Sequence, residues 1–204
     1  MGVCYIVGAG VCPVLDIEIK NGDFLIAADG GYRYCKQNNL IPDVVIGDFD
    51  SLGHIPDGDN IIKLNPVKDV TDMHAAAQVG IEKGFCEFAI YGATGGRIDH
   101  TLANVQLVAS LSQKGYKTSL IDGKVIITAL TDGSIYFDSS CSGYISVFSH
   151  TDKCEGVTIS NMKYTLENGM LTNSFSLGVS NEFIGKDSRV TVEKGTAIIV
   201  FNKP

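Results

Sequence analysis

Tryptophan is absent from the 204 residues, and no two of the six cysteines form a C-x-x-C pair. No apolar run is long enough to span a bilayer, because Gly8, Gly10 and Pro13 interrupt the one apolar N-terminal stretch. That stretch carries no Lys or Arg before Lys20, so it lacks the charged start of a secretory leader. Cations are scarce as well: 16 Lys and Arg stand against 23 Asp and Glu, for a net charge of -7. Such a balance argues against nucleic acid held through its phosphates, which needs clustered Lys and Arg. There is no G-x-x-x-x-G-K-[ST], which excludes a P-loop enzyme, and no G-x-S-x-G. Gly8-Ala9-Gly10 lacks the third glycine of a dinucleotide fingerprint and reads as a weak signal. His54, His74 and His150 show no metal-ligand spacing. The cysteines, Cys4 and Cys86 above all, read as small buried hydrophobes in a reducing, cytoplasmic setting.

What is present is enough apolar content, 45%, to bury a real core. Up to about residue 122 the pattern alternates between strand and helix. Strands are expected at Val3–Val7, Phe24–Ala28, Asp43–Ile46, Asn60–Leu64, Glu87–Tyr91 and Thr118–Ile121. Helices are expected at Gly31–Asn39, Thr71–Lys83 and Ile98–Gln113, the last with Leu102, Val105, Val108, Ala109 and Leu111 as its apolar stripe. After residue 122 helical periodicity vanishes. Short β-rich runs follow at Val125–Leu130, Ser134–Phe137, Tyr144–Phe148, Gly156–Ser160, Lys163–Leu166, Arg189–Val192 and Thr196–Phe201. Turn-like pieces such as Thr131-Asp132-Gly133 and Glu167-Asn168-Gly169 separate some of them. The expected fold is an α/β chain: a mostly parallel, Rossmann-like domain over residues 1–122, then an all-β sandwich domain over 123–204.

Open α/β sheets bind ligands beyond the carboxyl ends of their strands. Four successive strand ends here carry carboxylates and glycines: Asp29-Gly30-Gly31, then Gly47-Asp48-Phe49-Asp50-Ser51, then Lys68-Asp69-Val70-Thr71-Asp72, then Gly92 through His100 as GATGGRIDH. In extended chain Asp48 and Asp50 point the same way. Two carboxylates about 4 Å apart repel by about 4 kcal/mol at an effective dielectric near 20. Solvent, a proton or a cation must relieve that, and Mg²⁺ prefers such oxygen ligands. A lone D-x-D is more simply a solvated turn, but Asp29, Asp72 and Asp99 at neighbouring strand ends favour a metal. In GATGGRIDH, the glycines allow close approach to a ligand, a helix N-terminus favours anions, and Arg97 can clamp a phosphate. Dipole complementation explains Asp99 alone but not the residues beside it. His100 reads equally as a ligand contact or a helix-start residue, Thr71 as an N-cap, and Lys68 as a counter-charge or a solvated lysine. Farther on, Ser180-Asn181-Glu182-Phe183 offers a polar rim and an aromatic face, or a plain turn.

Taken in order, these stretches resemble the thiamine pyrophosphokinase family: Asp29-Gly30-Gly31, PDVVIGDFDS at 42–51, KDVTD at 68–72, GATGGRIDH at 92–100 and SNEF at 180–183. The resemblance covers essentially the whole chain. It implies transfer of pyrophosphate from ATP to the hydroxyethyl group of thiamine, yielding AMP and thiamine diphosphate, in a homodimer whose sites are shared between subunits. It implies that Asp48, Asp50 and Asp72 hold Mg²⁺ and, with Arg97 and Asp99, form the catalytic set; Asp29 would serve ATP, and Asp99 would also meet thiamine, to accept or orient its hydroxyl proton unless that proton goes to bulk water. Lys68, Thr71, Thr94, Gly95, Gly96, Arg97 and His100, with Gly30, would serve the ATP phosphates. Ser180 and Asn181 would serve thiamine, and Phe183 would stack on it in place of the tryptophan that animal members carry. Two other readings share some of these features: a diphosphokinase acting on a pterin, and a non-catalytic nucleotide-binding regulatory module. The SNEF stretch disfavours the first, and five acidic candidates disfavour the second.

Overall fold

A computed structural model describes residues 2–12, 15–49, 60–65, 67 and 69–203 of the chain. It is a mixed α/β structure with two compact units. The first comprises Met1–Leu107 and Tyr116–Gly123, and the second comprises Val108–Gly115 and Lys124–Pro204.

The first unit contains strands β1 (Cys4–Val7), β2 (Phe24–Ala28), β3 (Val44–Gly47), β4 (Ile61–Lys63), β5 (Glu87–Tyr91) and β6 (Lys117–Asp122). Its helices are α1 (Gly31–Gln37), α2 (Asp72–Glu82) and α3 (Ile98–Gln113), of which α3 continues into the second unit. The strands pair in parallel, in the order β6-β5-β1-β2-β3-β4. Runs such as FLIAA and VVIG are apolar at every position because parallel strands bury both faces. Val7, Leu25, Ala27, Val45 and Tyr91 share one face and a core with Cys35 of α1. The alternate residues Ile6, Ile26, Ile46 and Ile90 are buried too. Helix α2 buries Met73, Ala76 and Ala77, and Thr71 caps it by accepting from the His74 N–H at 3.2 Å. Strand order reverses between β1 and β5, so the chain leaves these two neighbours in opposite directions and opens a crevice at their carboxyl ends.

The second unit is antiparallel: β7 (Val125–Phe137), β8 (Tyr144–Ser149), β9 (Lys153–Ser160), β10 (Leu166–Thr172), β11 (Asn181–Glu182) and β12 (Ser188–Asn202). β12 pairs with β7 along most of its length. On its other side, its first part pairs with β9 and its last part with β8. Where these partners change, the β12–β7 ladder slips between Val192 and Thr196. There Asp132 takes a left-handed backbone (φ 46°), and its Oδ1 accepts from the Gly195 N–H at 2.7 Å. Such a bulge bends both strands. Val157 and Val190 on one side of the bend, and Ile145 and Ile199 on the other, contribute to a single core.

Several expectations need correction. Thr131-Asp132-Gly133 is a bend inside β7, not a turn between strands, and β12 is one strand rather than two. Turn-favouring residues stay in the ladder because the partner strand slips opposite them. Glu167-Asn168-Gly169 likewise lies within β10, at a register shift, and that strand runs over Leu166–Thr172 where the expected strand ends at Leu166. Leu102 is exposed, as is Ile98 at the start of α3. The buried side of that helix is Asn104, Leu107, Val108, Ala109 and Leu111. Cys86 is exposed, whereas the other five cysteines are buried, and all six are free. Burial pushes the Cys4 thiol up to about 12, in keeping with a packing role.

Asp132→Ala removes the carboxylate that holds the bend. Chemical denaturation is expected to show a loss of about 0.5–1.5 kcal/mol. An unchanged midpoint would show that the bend does not depend on this bond.

Candidate functional site

The first unit encloses a cavity of about 470 Å³. It is walled by Gly8–Val11 after β1, Ala28 and Asp29 at the end of β2, Asp48 after β3, and Val70–Met73 at the start of α2. Gly92, Ala93, Gly95, Gly96 and Arg97 after β5, with His100 and Asn104 of α3, complete the wall. This is the crevice that the reversal of strand order creates.

The loops after β1 and β5 are laced together by backbone. Gly8 N–H donates to Tyr91 O at 2.8 Å, Gly10 N–H to Gly92 O at 2.8 Å, and Val11 N–H to Thr94 O at 3.2 Å. Side chains cannot fit here: a Cβ at Gly10 would lie 2.4 Å from Thr94 O and 2.6 Å from Gly92 O. Gly8-Ala9-Gly10 therefore belongs to the cavity. Sequence reasoning missed it by testing for a dinucleotide fingerprint rather than for close packing between two strand ends. Asn104 was missed as well. It is buried on α3, and its Nδ2 donates to Ala93 O at 2.6 Å.

Three expected carboxylates, Asp29, Asp48 and Asp72, line this one cavity. Asp29 is fixed by its backbone N–H donating to Ile46 O at 2.8 Å, and it takes a left-handed backbone (φ 48°). Gly47 serves close packing, since a Cβ there would lie 3.0 Å from the Asp29 Cα. The left-handed residue that redirects the chain after β3 is Phe49 (φ 64°), whose ring is buried in the core beside Val45. Positive φ in a bulky residue is strained, and core burial of the ring holds it there. Phe49 itself is therefore not in extended conformation. Asp50 itself, Ser51 and Lys68 lie outside the described residues.

Among the described residues, no group of three His, Cys, Asp or Glu side chains converges on a metal-sized point. The donor set of the cavity is nonetheless three hard carboxylates. That suits an ion such as Mg²⁺, which keeps several waters and takes one or two carboxylates together with substrate phosphates.

In the same cavity, Gly95 (φ 75°) and Gly96 (φ 64°) have amide N–H groups with no protein acceptor among the described residues. Left-handed amides of this kind suit an anion. Arg97 Nε and Nη2 donate to Asp99 Oδ1 and Oδ2 at 3.2 and 2.5 Å, with both side chains largely exposed. This pairing holds the Asp99 carboxyl below its usual range and raises Arg97. Arg97 and His100 line the cavity, whereas Asp99 faces Arg97 outside the lining. Thr94 also departs from expectation: its hydroxyl donates to Asp122 Oδ2 at 2.7 Å, and the residue is not part of the cavity wall. Gly30 caps α1 and lines a second, smaller cavity with Ala9, Arg33, Tyr34 and Gln37.

In the second unit, the polar SNEF residues do mainly structural work. Asn181 is buried, its Nδ2 donating to Tyr164 O at 2.7 Å and its Oδ1 accepting from Tyr164 N–H at 2.9 Å. Glu182 accepts from Lys163 at 2.7 Å. Phe183 is a core residue, 5.2 Å from the Phe137 ring, so its face is spent on packing and does not lie open to a ligand ring. Ser180 has a left-handed backbone (φ 60°), and its N–H donates to Ser146 Oγ at 3.1 Å. No helix among the described residues is long and apolar enough to cross a membrane.

Comparison with known proteins places this geometry in a family. Residues 15–120 match the model for the thiamin pyrophosphokinase catalytic domain, and residues 134–199 match that for the thiamin pyrophosphokinase vitamin B1 binding domain. A thiamine pyrophosphokinase of Bacillus subtilis (strain 168) is 30% identical over 183 residues, covering 86% of this chain and 85% of the relative. A crystal structure of thiamine pyrophosphokinase from Bacillus subtilis superposes with a TM-score of 0.87 at 27% identity, covering 99% of each chain. A thiamin pyrophosphokinase family protein from Enterococcus faecalis gives 0.82 at 26% identity, over 100% of both chains.

The Arg97–Asp99 pair sets an expectation for pH. Because the folded-state value of Asp99 is lowered, the pair is fully present above the ordinary carboxylate range and is lost as pH falls through that lowered value. Carboxyl-resolved NMR should show Asp99 titrating below exposed aspartates, and Arg97→Ala should move it back toward them. An unmoved Asp99 would show that the guanidinium does not hold it.

Proposed function

The chain belongs to the thiamine pyrophosphokinase family and forms thiamine diphosphate; on that premise we propose that its first unit binds ATP with Mg²⁺ in the crevice between β1 and β5. One observation carries the proposal: Asp29, Asp48 and Asp72 line a single cavity together with the glycine-rich loop of Gly92, Ala93, Gly95, Gly96 and Arg97. A nucleotide polyphosphate needs both, carboxylates to hold its metal and amides with a guanidinium to hold its oxygens.

In this reading Asp48 and Asp72, with Asp29 beside them, hold the metal, which when bound neutralises the polyphosphate and polarises the reacting phosphorus. Asp50 and Lys68 remain in the proposal on their sequence motifs. The amides of Gly95 and Gly96 and the first turns of α2 and α3 receive phosphate oxygens, with Thr71 and His100 also lining the cavity. Arg97 is held by Asp99 until a phosphate competes for its fork, so ATP binding exchanges one charge-assisted pair for another. The thiamine hydroxyl oxygen attacks the β-phosphorus. The bond from that phosphorus to the oxygen bridging the α-phosphate breaks, AMP leaves with that oxygen, and the hydroxyl proton passes to water. While the two are paired, Asp99 orients Arg97.

The finer architecture, a Rossmann-like domain over 1–122 and a β-sandwich over 123–204, belongs to the same reading. The parallel order of β1–β6 supports the first part, and the bent antiparallel sheet closing on one core supports the second. So do a cytoplasmic setting, supported by six free thiols, and a homodimer in which a partner subunit helps to bind thiamine. Exposed Tyr144, Phe148, Phe175, Leu177 and Val179 in the second unit supply apolar surface for such an association. Ser180 is the proposed polar contact to thiamine, with Asn181 holding the segment in place. A pterin acceptor would share the phosphate machinery but leave the match to a vitamin B1 binding domain without purpose.

Incubation with ATP, Mg²⁺ and thiamine is expected to yield AMP and thiamine diphosphate in equal amounts. Formation of ADP, or AMP release that does not depend on thiamine, contradicts the proposal. Asp48→Asn is expected to lower turnover at least about a hundredfold with an unchanged melting temperature. Normal turnover in that variant would make the carboxylate structural.

A further inference from the structure

The loop Gly92–Arg97 must present amides to the cavity, yet a loop rich in glycine has no intrinsic preference for doing so. Its carbonyls are as free to turn inward as its N–H groups, and an inward carbonyl repels a phosphate. Here each of three successive carbonyls is engaged by a donor elsewhere in the first unit: Gly92 O by Gly10 N–H, Ala93 O by Asn104 Nδ2, and Thr94 O by Val11 N–H. A fourth tie comes from the Thr94 hydroxyl to Asp122 at the end of β6. Two of the four ties are backbone and follow from the glycine packing of β1 against β5. The other two depend on single side chains, Asn104 on α3 and Asp122 at the end of β6, two different elements that both follow the loop in sequence.

We infer that Asn104 and Asp122 are positioning residues that fix the orientation of the phosphate-facing loop, and that Thr94 acts as an anchor for Asp122 rather than as a phosphate ligand. The inference rests on reading the cavity as the ATP site. Neither side chain is required to touch substrate. Asn104 orients Ala93 O directly. Asp122 grips Thr94, one residue before the two glycines whose amides have no protein acceptor among the described residues. Asn104 is buried, so its bond to Ala93 O is not readily exchanged for one to solvent.

A double-mutant cycle on Thr94 and Asp122 separates an anchor from a ligand. The readouts are calorimetric affinity for Mg²⁺-ATP, the KM values for ATP and thiamine separately, and melting temperature. If the pair is an anchor, Thr94→Val and Asp122→Ala each weaken ATP binding roughly tenfold, and the double variant is no weaker than either single one. If Thr94 is a phosphate ligand, Thr94→Val alone weakens binding while Asp122→Ala leaves it unchanged, and the inference is overturned. Asn104→Ala and Asn104→Asp, which both lack the donor, are expected to raise KM for ATP about tenfold while KM for thiamine stays within about twofold. Equal loss for both substrates together with a fallen melting temperature would reduce Asn104 to a fold-stabilising role. Wild-type protein that fails to bind Mg²⁺-ATP overturns the functional reading and the anchors with it. Wild-type binding with unaffected variants overturns the anchors alone.

Discussion

The structure of the site depends on the close approach of two strand ends, the chain leaving β1 and the chain leaving β5. Gly8, Gly10 and Gly92 bring backbone against backbone, and any side chain there would overlap a carbonyl. With that contact made, the amides after β1 satisfy the carbonyls after β5, and the two loops become one wall. The crevice that the sheet offers at its reversal point thereby becomes a cavity with one lining of defined polarity. Without the contact, the glycines of the 92–97 loop would be free to turn either their donors or their acceptors toward a ligand.

The carboxylates of the same cavity are set by neighbouring strand ends in the same sheet. Asp29 and Asp48 follow β2 and β3, which pair in parallel and end together. Asp72 opens α2, where it also complements the helix dipole. The rigidity of the arrangement comes from apolar burial: Phe49 is held in a left-handed conformation by its place in the core, and this directs the chain that carries Asp48. Strain at Phe49 and packing at Gly47 are two halves of one device, because Gly47 lets Asp29 sit against β3 while Phe49 turns the chain away after it.

The sequence carried the first unit almost intact. Six apolar runs and three amphipathic stretches correspond to its strands and helices, and the loops singled out after those strands supply much of the cavity wall. Periodicity fails in the second unit because long bent strands absorb turn-forming residues. Thr131-Asp132-Gly133 reads as a hairpin turn, yet it lies within a strand because Gly195 on β12 meets it with a matching slip. Local signals cannot reveal that compensation, which comes from a residue more than sixty positions away. Side-chain commitments were similarly illegible. Thr94 sits in a phosphate-type loop but is engaged by Asp122, and Phe183 follows a polar triplet but packs on Phe137. In both cases the deciding partner is distant in sequence.

The central claim is that one metal-nucleotide site spans the carboxylates of the β2 and β3 ends and the glycine-rich loop after β5. Paramagnetic relaxation with Mn²⁺ in place of Mg²⁺ tests this directly, because a bound Mn²⁺ broadens the amide signals of nearby residues. In the presence of ATP, the account predicts selective broadening at Asp29, Asp48, Asp72 and Gly95–Arg97, removed by excess Mg²⁺. Broadening centred elsewhere, or none at the Gly95–Arg97 wall when ATP is bound, would contradict it.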